Sequence, residues 1–175
     1  MTTYRYLFCD LLTNQIVAEL PLTGVTFTQQ LNSAGTLSGS IQLAGLPSAS
    51  NAINATTPTK YGIYVDRDGV LVWGGIIWSR QYDSDNQHIS LQVREFESYW
   101  ERRRITSTQV FNNQDQLFIA QQLVNTANAQ TNGNIGVQVG TETSGILVSR
   151  TFYSYELKSL YSALLDLSRS QDGFD

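Results

Sequence analysis

The sequence predicts an α+β fold that is mainly β, an antiparallel barrel or sandwich followed by a smaller helix–hairpin–helix segment. Alternating apolar and polar residues, typical of half-buried strands, fill most of the first 105 residues. Longer helical patterns appear only after Arg104. Because a run of strands followed by helices indicates α+β, we divide the chain into an antiparallel β-barrel domain (1–105) and a mixed α/β segment (106–175).

The centre of the predicted sheet is a long hairpin. Val70–Tyr82 is rich in β-branched and aromatic residues, and Gln87–Arg94 alternates regularly between apolar and polar residues. Under strict alternation Trp73 and Trp78 point to opposite faces. A β-bulge at Gly74-Gly75 would shift the register by one residue, so we expect both tryptophans on one face.

Five further strands precede this hairpin in the prediction: Tyr4–Cys9, Ile16–Pro21, Val25–Leu31, Leu37–Leu43 and Tyr61–Asp66. The uncharged stretch Gly45–Pro58 is predicted as an exposed loop with a short helical turn after Pro47.

The second segment is predicted to contain two helices around a short hairpin. In chain order these are a helix over Gln114–Ala129 capped by Asn112 or Asn113, strands Ile135–Val139 and Ile146–Phe152, and a helix over Tyr155–Ser170 capped by Ser154. The ending Gly173-Phe174-Asp175 resembles the start of another strand. We therefore expect this segment to be the start of a second domain that is cut off.

Composition argues against several classes of function. The net charge of -4 and the pI near 4.9 disfavour general nucleic-acid binding, which uses a basic surface. A single cysteine (Cys9) and a single histidine (His88) provide neither an internal disulfide nor a zinc site. No apolar run reaches the length of about 18 residues that membrane insertion needs. We predict no cofactor and no metal.

The acidic residues do not form a convincing catalytic or metal motif. Asp66–Gly69 begins like a calcium loop, but the next ligand position is Val70, so we interpret it as a turn. Glu95, Glu97 and Glu101 could supply a glycosidase pair, although pairing with neighbouring arginines explains them more simply. We therefore predict that the protein is not an enzyme.

The segment Arg102-Arg103-Arg104 is the sharpest charge feature. Three explanations remain open: a solvated strand end neutralised by nearby glutamates, a protein contact patch, or a nucleic-acid contact. Because Arg and Trp are favoured at interface hot spots, the candidate subunit interface consists of Trp78, Trp100, Arg102, Arg103 and Arg104.

Several segments resemble a known family. They are W-G-G-I-I-W-S-R (Trp73–Arg80), I-S-L-Q-V-R-E-F-E-S-Y-W-E-R-R-R-I (Ile89–Ile105), N-Q-D-Q-L-F-I-A-Q-Q-L-V (Asn113–Val124), Tyr4–Asn14, Val17–Phe27 and Gln171–Asp175. Together they are similar to the N-terminal part of siphophage minor tail proteins of the tail-hub type, found in phages of actinobacteria and related Gram-positive bacteria.

This resemblance implies tail-tube-like β-barrel domains, similar to the baseplate hub, that assemble into a trimeric ring at the virion tail tip. Such a ring would link the tail tube to the tip and leave a lumen for the tape-measure protein and DNA. The implied partners are further copies of the chain and other tail proteins. The resemblance also implies that the protein is made in the host cytoplasm. The resemblance carries no catalytic residues, no sequence-specific nucleic-acid binding and no stable membrane insertion, and it implies a longer chain.

A carbohydrate-binding β-domain for host attachment is the alternative. Trp73, Trp78, Trp100 and the nine tyrosines could provide flat platforms for sugars. Core or interface positions explain most of these aromatic residues more simply.

Overall fold

The computed structural model describes residues 2–170. The chain forms two compact units, Met1–Glu97 and Ser98–Asp175. Both contain antiparallel strands, and helices are few and short. The predicted class, α+β and mainly β, is confirmed. The strand start expected at Gly173-Phe174-Asp175 lies outside the described residues.

Seven strands form one antiparallel sheet in the first unit. They are β1 (Tyr4–Asp10), β2 (Ile16–Glu19), β3 (Thr23–Phe27), β4 (Thr36–Gln42), β5 (Tyr61–Arg67), β6 (Val70–Asp83) and β7 (His88–Glu95). Their hydrogen-bonded order is β2-β1-β5-β6-β7-β4-β3. The centre of the sheet is therefore the long β6–β7 hairpin, as the sequence predicts.

The sheet curls because its two edge strands are neighbours in the chain. Only Leu20, Pro21 and Leu22 separate β2 from β3, a link that spans at most about 15 Å. In a flat sheet the same strands would stand roughly 29 Å apart. No hydrogen-bonded ladder joins β2 to β3 within residues 2–170, so the barrel that we expected is curled but not closed.

The concave face of the curled sheet holds the main core. Its buried residues come from all seven strands or from the segments beside them, and include Phe8, Leu37, Ile41, Ile63, Trp73, Ile77, Leu91 and Val93. A short helix, α1 (Ala49–Ala55), adds Ala52 and Ala55 to this core. Ser48 caps α1 by accepting a hydrogen bond from Asn51 N. The helical turn predicted after Pro47 is therefore present.

The predicted bulge at Gly74-Gly75 is wrong. Both glycines lie in regular register with β5, and the extra residues of β6 are Val72 and Trp78. The glycines serve close packing instead, because a Cβ on Gly74 would lie 2.7 Å from the Phe96 ring. Trp73 belongs to the main core, whereas Trp78 is half-buried at its own bulge.

The second unit combines a two-stranded ribbon with two helices. Strands β8 (Gln109–Asp115) and β9 (Leu147–Phe152) pair antiparallel, and α2 (Gln116–Asn128) and α3 (Leu160–Ser168) contact each other. Each helix buries an apolar row at spacings of three or four residues, comprising Ile119, Leu123, Ala127, Leu160, Ala163 and Leu167.

The predicted hairpin between the helices is wrong. Residues 135–139 form no strand, because side chains of α2 bind carbonyl groups of this loop. Asn128 Nδ2 donates to Val137 O at 3.0 Å, and Gln121 Nε2 donates to Glu142 O at 3.1 Å. The partner of β9 is β8, a strand that the sequence analysis did not predict.

Both predicted helix starts are also wrong. Asp115 caps α2, in place of Asn112 or Asn113. The last helix starts at Leu160 under a Ser159 cap, after a 3-10 turn over Ser154–Glu156. Leu157 separates the turn from the helix because its φ of +44° is left-handed and cannot continue a right-handed helix.

Candidate functional site

The structure places the five predicted interface residues in different environments. Trp78 lies in the first unit, and the other four lie in the second. Trp100 is only 7% exposed and meets the Tyr99 ring edge-on at 5.3 Å. Arg102 and Arg104 are exposed, whereas Arg103 is half-buried.

Arg103 takes part in an internal cluster that we call the Tyr99–Arg103 clamp (Tyr99, Arg103, Asn132 and Gly133). Tyr99 Oη donates to the carbonyl oxygens of Asn132 and Gly133, each at 3.0 Å. Arg103 Nη2 donates to Asn132 O at 2.7 Å and to Tyr99 Oη. Its guanidinium lies over the Tyr99 ring at 4.5 Å. The clamp fixes the turn that follows α2.

The backbone on either side of Arg103 is fixed as well. Arg104 forms an isolated β-bridge with Ser159, and its carbonyl oxygen accepts a hydrogen bond from Gln130 Nε2 at 2.9 Å. Leu160 N donates to Arg103 O at 2.9 Å. The exposed side chains of Arg102 and Arg104 are therefore presented from a well-anchored segment.

A second surface of interest is the gap between the edges of the curled sheet, which we call the seam. It is lined by residues 4–6 of β1, by the end of β2 and the link that follows it, and by residues of β3 at the opposite edge. Two cavities occupy it, of about 410 and 360 Å³. Both are lined by Tyr4, Tyr6 and Leu22. The ladder between β1 and β2 covers Leu7 to Cys9 of β1, and Leu20 N donates one further hydrogen bond to Tyr6 O at 3.2 Å. Tyr4 and Arg5 of β1 extend beyond these contacts.

The charged groups of the seam neutralise each other. Arg5 Nη2 and Nε donate to Glu19 Oε2 and Oε1 at 2.6 and 3.1 Å. The hydrogen bond from Arg5 lowers the pKa of Glu19. The remaining surface consists of tyrosine rings, aliphatic side chains and strand edges, which suits an extended, uncharged polypeptide.

Exposed aromatic residues also mark the second unit. Tyr155 is 76% exposed and stacks on Tyr153 with 5.2 Å between ring centroids and 21° between the planes. The exposed Leu157 lies two residues after Tyr155, in its left-handed conformation. The seam is not evident from sequence patterns, because it depends on strand edges that only the fold brings together.

The carboxylates have structural contacts. Glu95 Oε2 accepts a hydrogen bond from Gly35 N at 2.5 Å, and burial and the Glu95 charge raise the pKa of Glu97. Asp66 Oδ1 accepts from Gly69 N at 3.0 Å in a tight turn, as the sequence predicts. Burial raises the pKa of the Cys9 thiol to about 11 and makes it a poor nucleophile.

Within residues 2–170, no group of three or more His, Cys, Asp or Glu side chains is placed to hold a metal ion. No helix in this range is long and apolar enough to span a bilayer.

These features define a class: a mainly β protein with a curled antiparallel sheet, followed by a helix-and-ribbon unit. No protein-family model matches the chain, and no curated protein matches it. Among solved structures it is similar to the 43 kDa tail protein of prophage MuSo2 from Shewanella oneidensis, with a TM-score of 0.55 and 16% sequence identity. That match covers 94% of this chain and 47% of the other.

A tail protein from Neisseria meningitidis is a more distant match, with a TM-score of 0.45 and 17% identity over 78% of this chain and 41% of that one. This chain therefore spans less than half the length of either protein. At 16% identity the likeness to the Shewanella protein shows a common fold.

Proposed function

We propose that the chain is a structural component of a phage tail. In detail, it would be a hub or minor tail protein that self-associates into a ring at the tail tip and joins the tail tube to tip proteins. The observation that carries the proposal is the fold shared with a prophage tail protein over 94% of the chain. The resemblance of Trp73–Arg80 and Ile89–Ile105 to tail-hub proteins points the same way.

The seam supports the self-association part of this proposal. Exposed strand edges favour pairing with another chain, and the seam combines the end of β1 and the edge strand β3 with cavities of peptide size. A contact between different surfaces of successive copies is heterologous, and heterologous contacts close into rings when the rotation fits. We therefore assign the seam as the first candidate contact between copies.

The arginine segment is the second candidate contact. Its exposed members, Arg102 and Arg104, would lie against a neighbouring tail protein or a further copy, and Trp78 stays in the proposed interface as a half-buried residue. Trp100 and Arg103 support the segment from inside through Tyr99. A trimeric ring, a lumen for tape-measure protein and DNA, and an actinobacterial or related Gram-positive host complete the proposal.

The proposed role is not enzymatic. Glu95 accepts a hydrogen bond from the backbone of Gly35, so its carboxylate has a structural use. The absence of an enzymatic activity stays part of the proposal.

Light scattering and electron microscopy test the proposal. The purified chain should form a trimer or a small ring over a range of concentrations. A monomer at every concentration would count against the self-association proposed for this chain. Antibodies against the chain should label the tail tip of particles that carry it, and unlabelled particles would contradict the virion assignment.

Carbohydrate binding remains the second candidate function, but different aromatic residues now support it. Trp73 is 4% exposed and Trp100 is 7% exposed, so neither can offer a platform to a sugar. The stacked pair Tyr153 and Tyr155 is exposed and could do so. A glycan array in which binding is lost on Tyr155→Ala, with folding intact, would favour this function.

A further inference from the structure

Asn132-Gly133 is the only Asn-Gly pair in the sequence, and it lies in the turn after α2. Asn-Gly pairs are prone to a specific reaction because glycine has no side chain to hinder it. Gly133 N attacks Asn132 Cγ, the new N–C bond closes a succinimide ring, and the Cγ–Nδ2 bond breaks. Nδ2 leaves as ammonia with the proton from Gly133 N. Water then opens the ring to aspartate or isoaspartate.

The turn holds the attacking nitrogen and the backbone around it in place. Gly133 N donates its hydrogen to Gln130 O at 2.7 Å, so the attacking nitrogen is engaged. Asn132 has a left-handed φ of +52°. The hydroxyl of Tyr99 shares its hydrogen between the carbonyl oxygens of Asn132 and Gly133. Ring closure therefore requires the turn to open first.

We propose that the Tyr99–Arg103 clamp protects Asn132-Gly133 from succinimide formation, and that opening of the clamp makes Asn132 a site of deamidation. The side chain of Asn132 is exposed, whereas Gly133 is buried. Hydrogen bonds to the backbone, and not burial of the asparagine side chain, therefore protect Asn132 from succinimide formation. This inference is independent of the proposed function.

The modification would be incompatible with the clamp. Isoaspartate adds one carbon to the backbone at residue 132, next to a glycine that is closely packed against backbone atoms. A Cβ built on Gly133 would lie 2.1 Å from Ala127 O and 2.7 Å from Gln130 O. Formation of isoaspartate at residue 132 would therefore release the turn from Tyr99 and Arg103.

Peptide mapping by mass spectrometry tests the proposal. The purified chain is incubated at neutral pH, both folded and in denaturant, and conversion of the Asn132 amide to acid is followed. The folded chain should react at least about tenfold more slowly, because only the locally opened turn reacts. Tyr99→Phe, which removes the hydroxyl and keeps the ring, should accelerate the reaction about fivefold.

Matched variants decide the outcome. Tyr153→Phe removes the hydroxyl of an exposed tyrosine outside the clamp and should leave the rate unchanged. Asn132→Gln should abolish acid formation at residue 132, because glutamine does not form the five-membered ring. Equal rates for folded and unfolded chain, or for wild type and Tyr99→Phe, would overturn the proposal. A faster deamidation of all asparagines in Tyr99→Phe would also overturn it, since this would indicate general unfolding.

Discussion

At the scale of single residues, Gly35 connects the β3–β4 hairpin to the end of β7. Its backbone bonds to Glu95 twice, through Gly35 N to Glu95 Oε2 and through Glu95 N to Gly35 O. A Cβ on Gly35 would lie 2.0 Å from Thr28 O, a backbone atom that cannot move alone. Gly35→Ala should therefore lower the free energy of unfolding by about 2–3 kcal/mol, measured by urea titration.

Gly39, in the strand that follows Gly35, provides the matched control. A Cβ there would lie 3.0 Å from Leu22 Cδ2 and 3.2 Å from Val25 Cγ2, which are side-chain methyl groups that can shift. Gly39→Ala should cost less than about 1 kcal/mol. Equal losses for the two variants would show that crowding at Thr28 O is not the cause.

Asp115 should make the stability of the second unit dependent on pH. Burial raises its pKa, but hydrogen bonds from Ser144, Gly145 and Leu117 outweigh this effect and lower it below the usual value. A carboxyl whose pKa is lower in the folded state stabilises the fold above its unfolded pKa of about 3.9. That contribution is lost as pH falls through the folded pKa. Unfolding curves at several pH values should show it.

Asp115→Asn is the control for this effect. The amide cannot carry the negative charge that Ser144 and Gly145 bind, so the variant should already be less stable at neutral pH. The difference in unfolding midpoint between wild type and Asp115→Asn should shrink as the wild-type carboxylate is protonated. A difference that stays constant down to acidic pH would mean that charge at Asp115 is unimportant.

At the scale of elements, Leu157 sets where α3 can begin. Its left-handed φ of +44° is strained for leucine, and the side chain is 56% exposed. Leu157→Gly relieves the strain and should change the free energy of unfolding by less than about 0.5 kcal/mol. Leu147 is also 56% exposed but lies within β9. Leu147→Gly should lower the free energy of unfolding by about 1 kcal/mol. Urea titrations compare the two, and equal losses would argue against strain.

Sequence patterns predict those elements that their own residues determine. The alternation in Gln87–Arg94 and the β-branched residues of Val70–Tyr82 gave the central hairpin. In contrast, β8 is a strand because it pairs with β9 more than thirty residues later, and its Asn112-Asn113 pair favours a turn when taken alone. Residues 135–139 alternate like a strand, but their carbonyl at Val137 is bound by Asn128 of α2.

The candidate interface also combines a feature that the local sequence shows with one that depends on distant residues. Arg102-Arg103-Arg104 stands out in the sequence by charge alone, and the structure exposes its first and last members. The internal role of Arg103 depends on Tyr99 and on a turn about thirty residues away. No local pattern could distinguish Arg103 from its two neighbours, because the residues that each arginine contacts are determined by the fold.

At the scale of the whole molecule, the curl of the sheet creates the seam. Seven strands could close a barrel if β2 and β3 paired, but the short link through Pro21 carries the chain from one edge to the other. Proline has no N–H to donate to a ladder, which favours a break there. The same link that brings the edges together thus leaves a gap between them.

A single charge in the seam should test whether it joins copies of the chain. Tyr4 lines both cavities and is partly exposed, so Tyr4→Glu places a carboxylate on an edge strand, where charge blocks pairing. Tyr82→Glu adds the same charge at an exposed position of β6 outside the cavities. Light scattering should show fewer oligomers for Tyr4→Glu and an unchanged mass for Tyr82→Glu. If both variants assemble like wild type, the copies meet elsewhere, and Arg102 and Arg104 become the surface to change. If both dissociate, net charge and not the seam controls assembly.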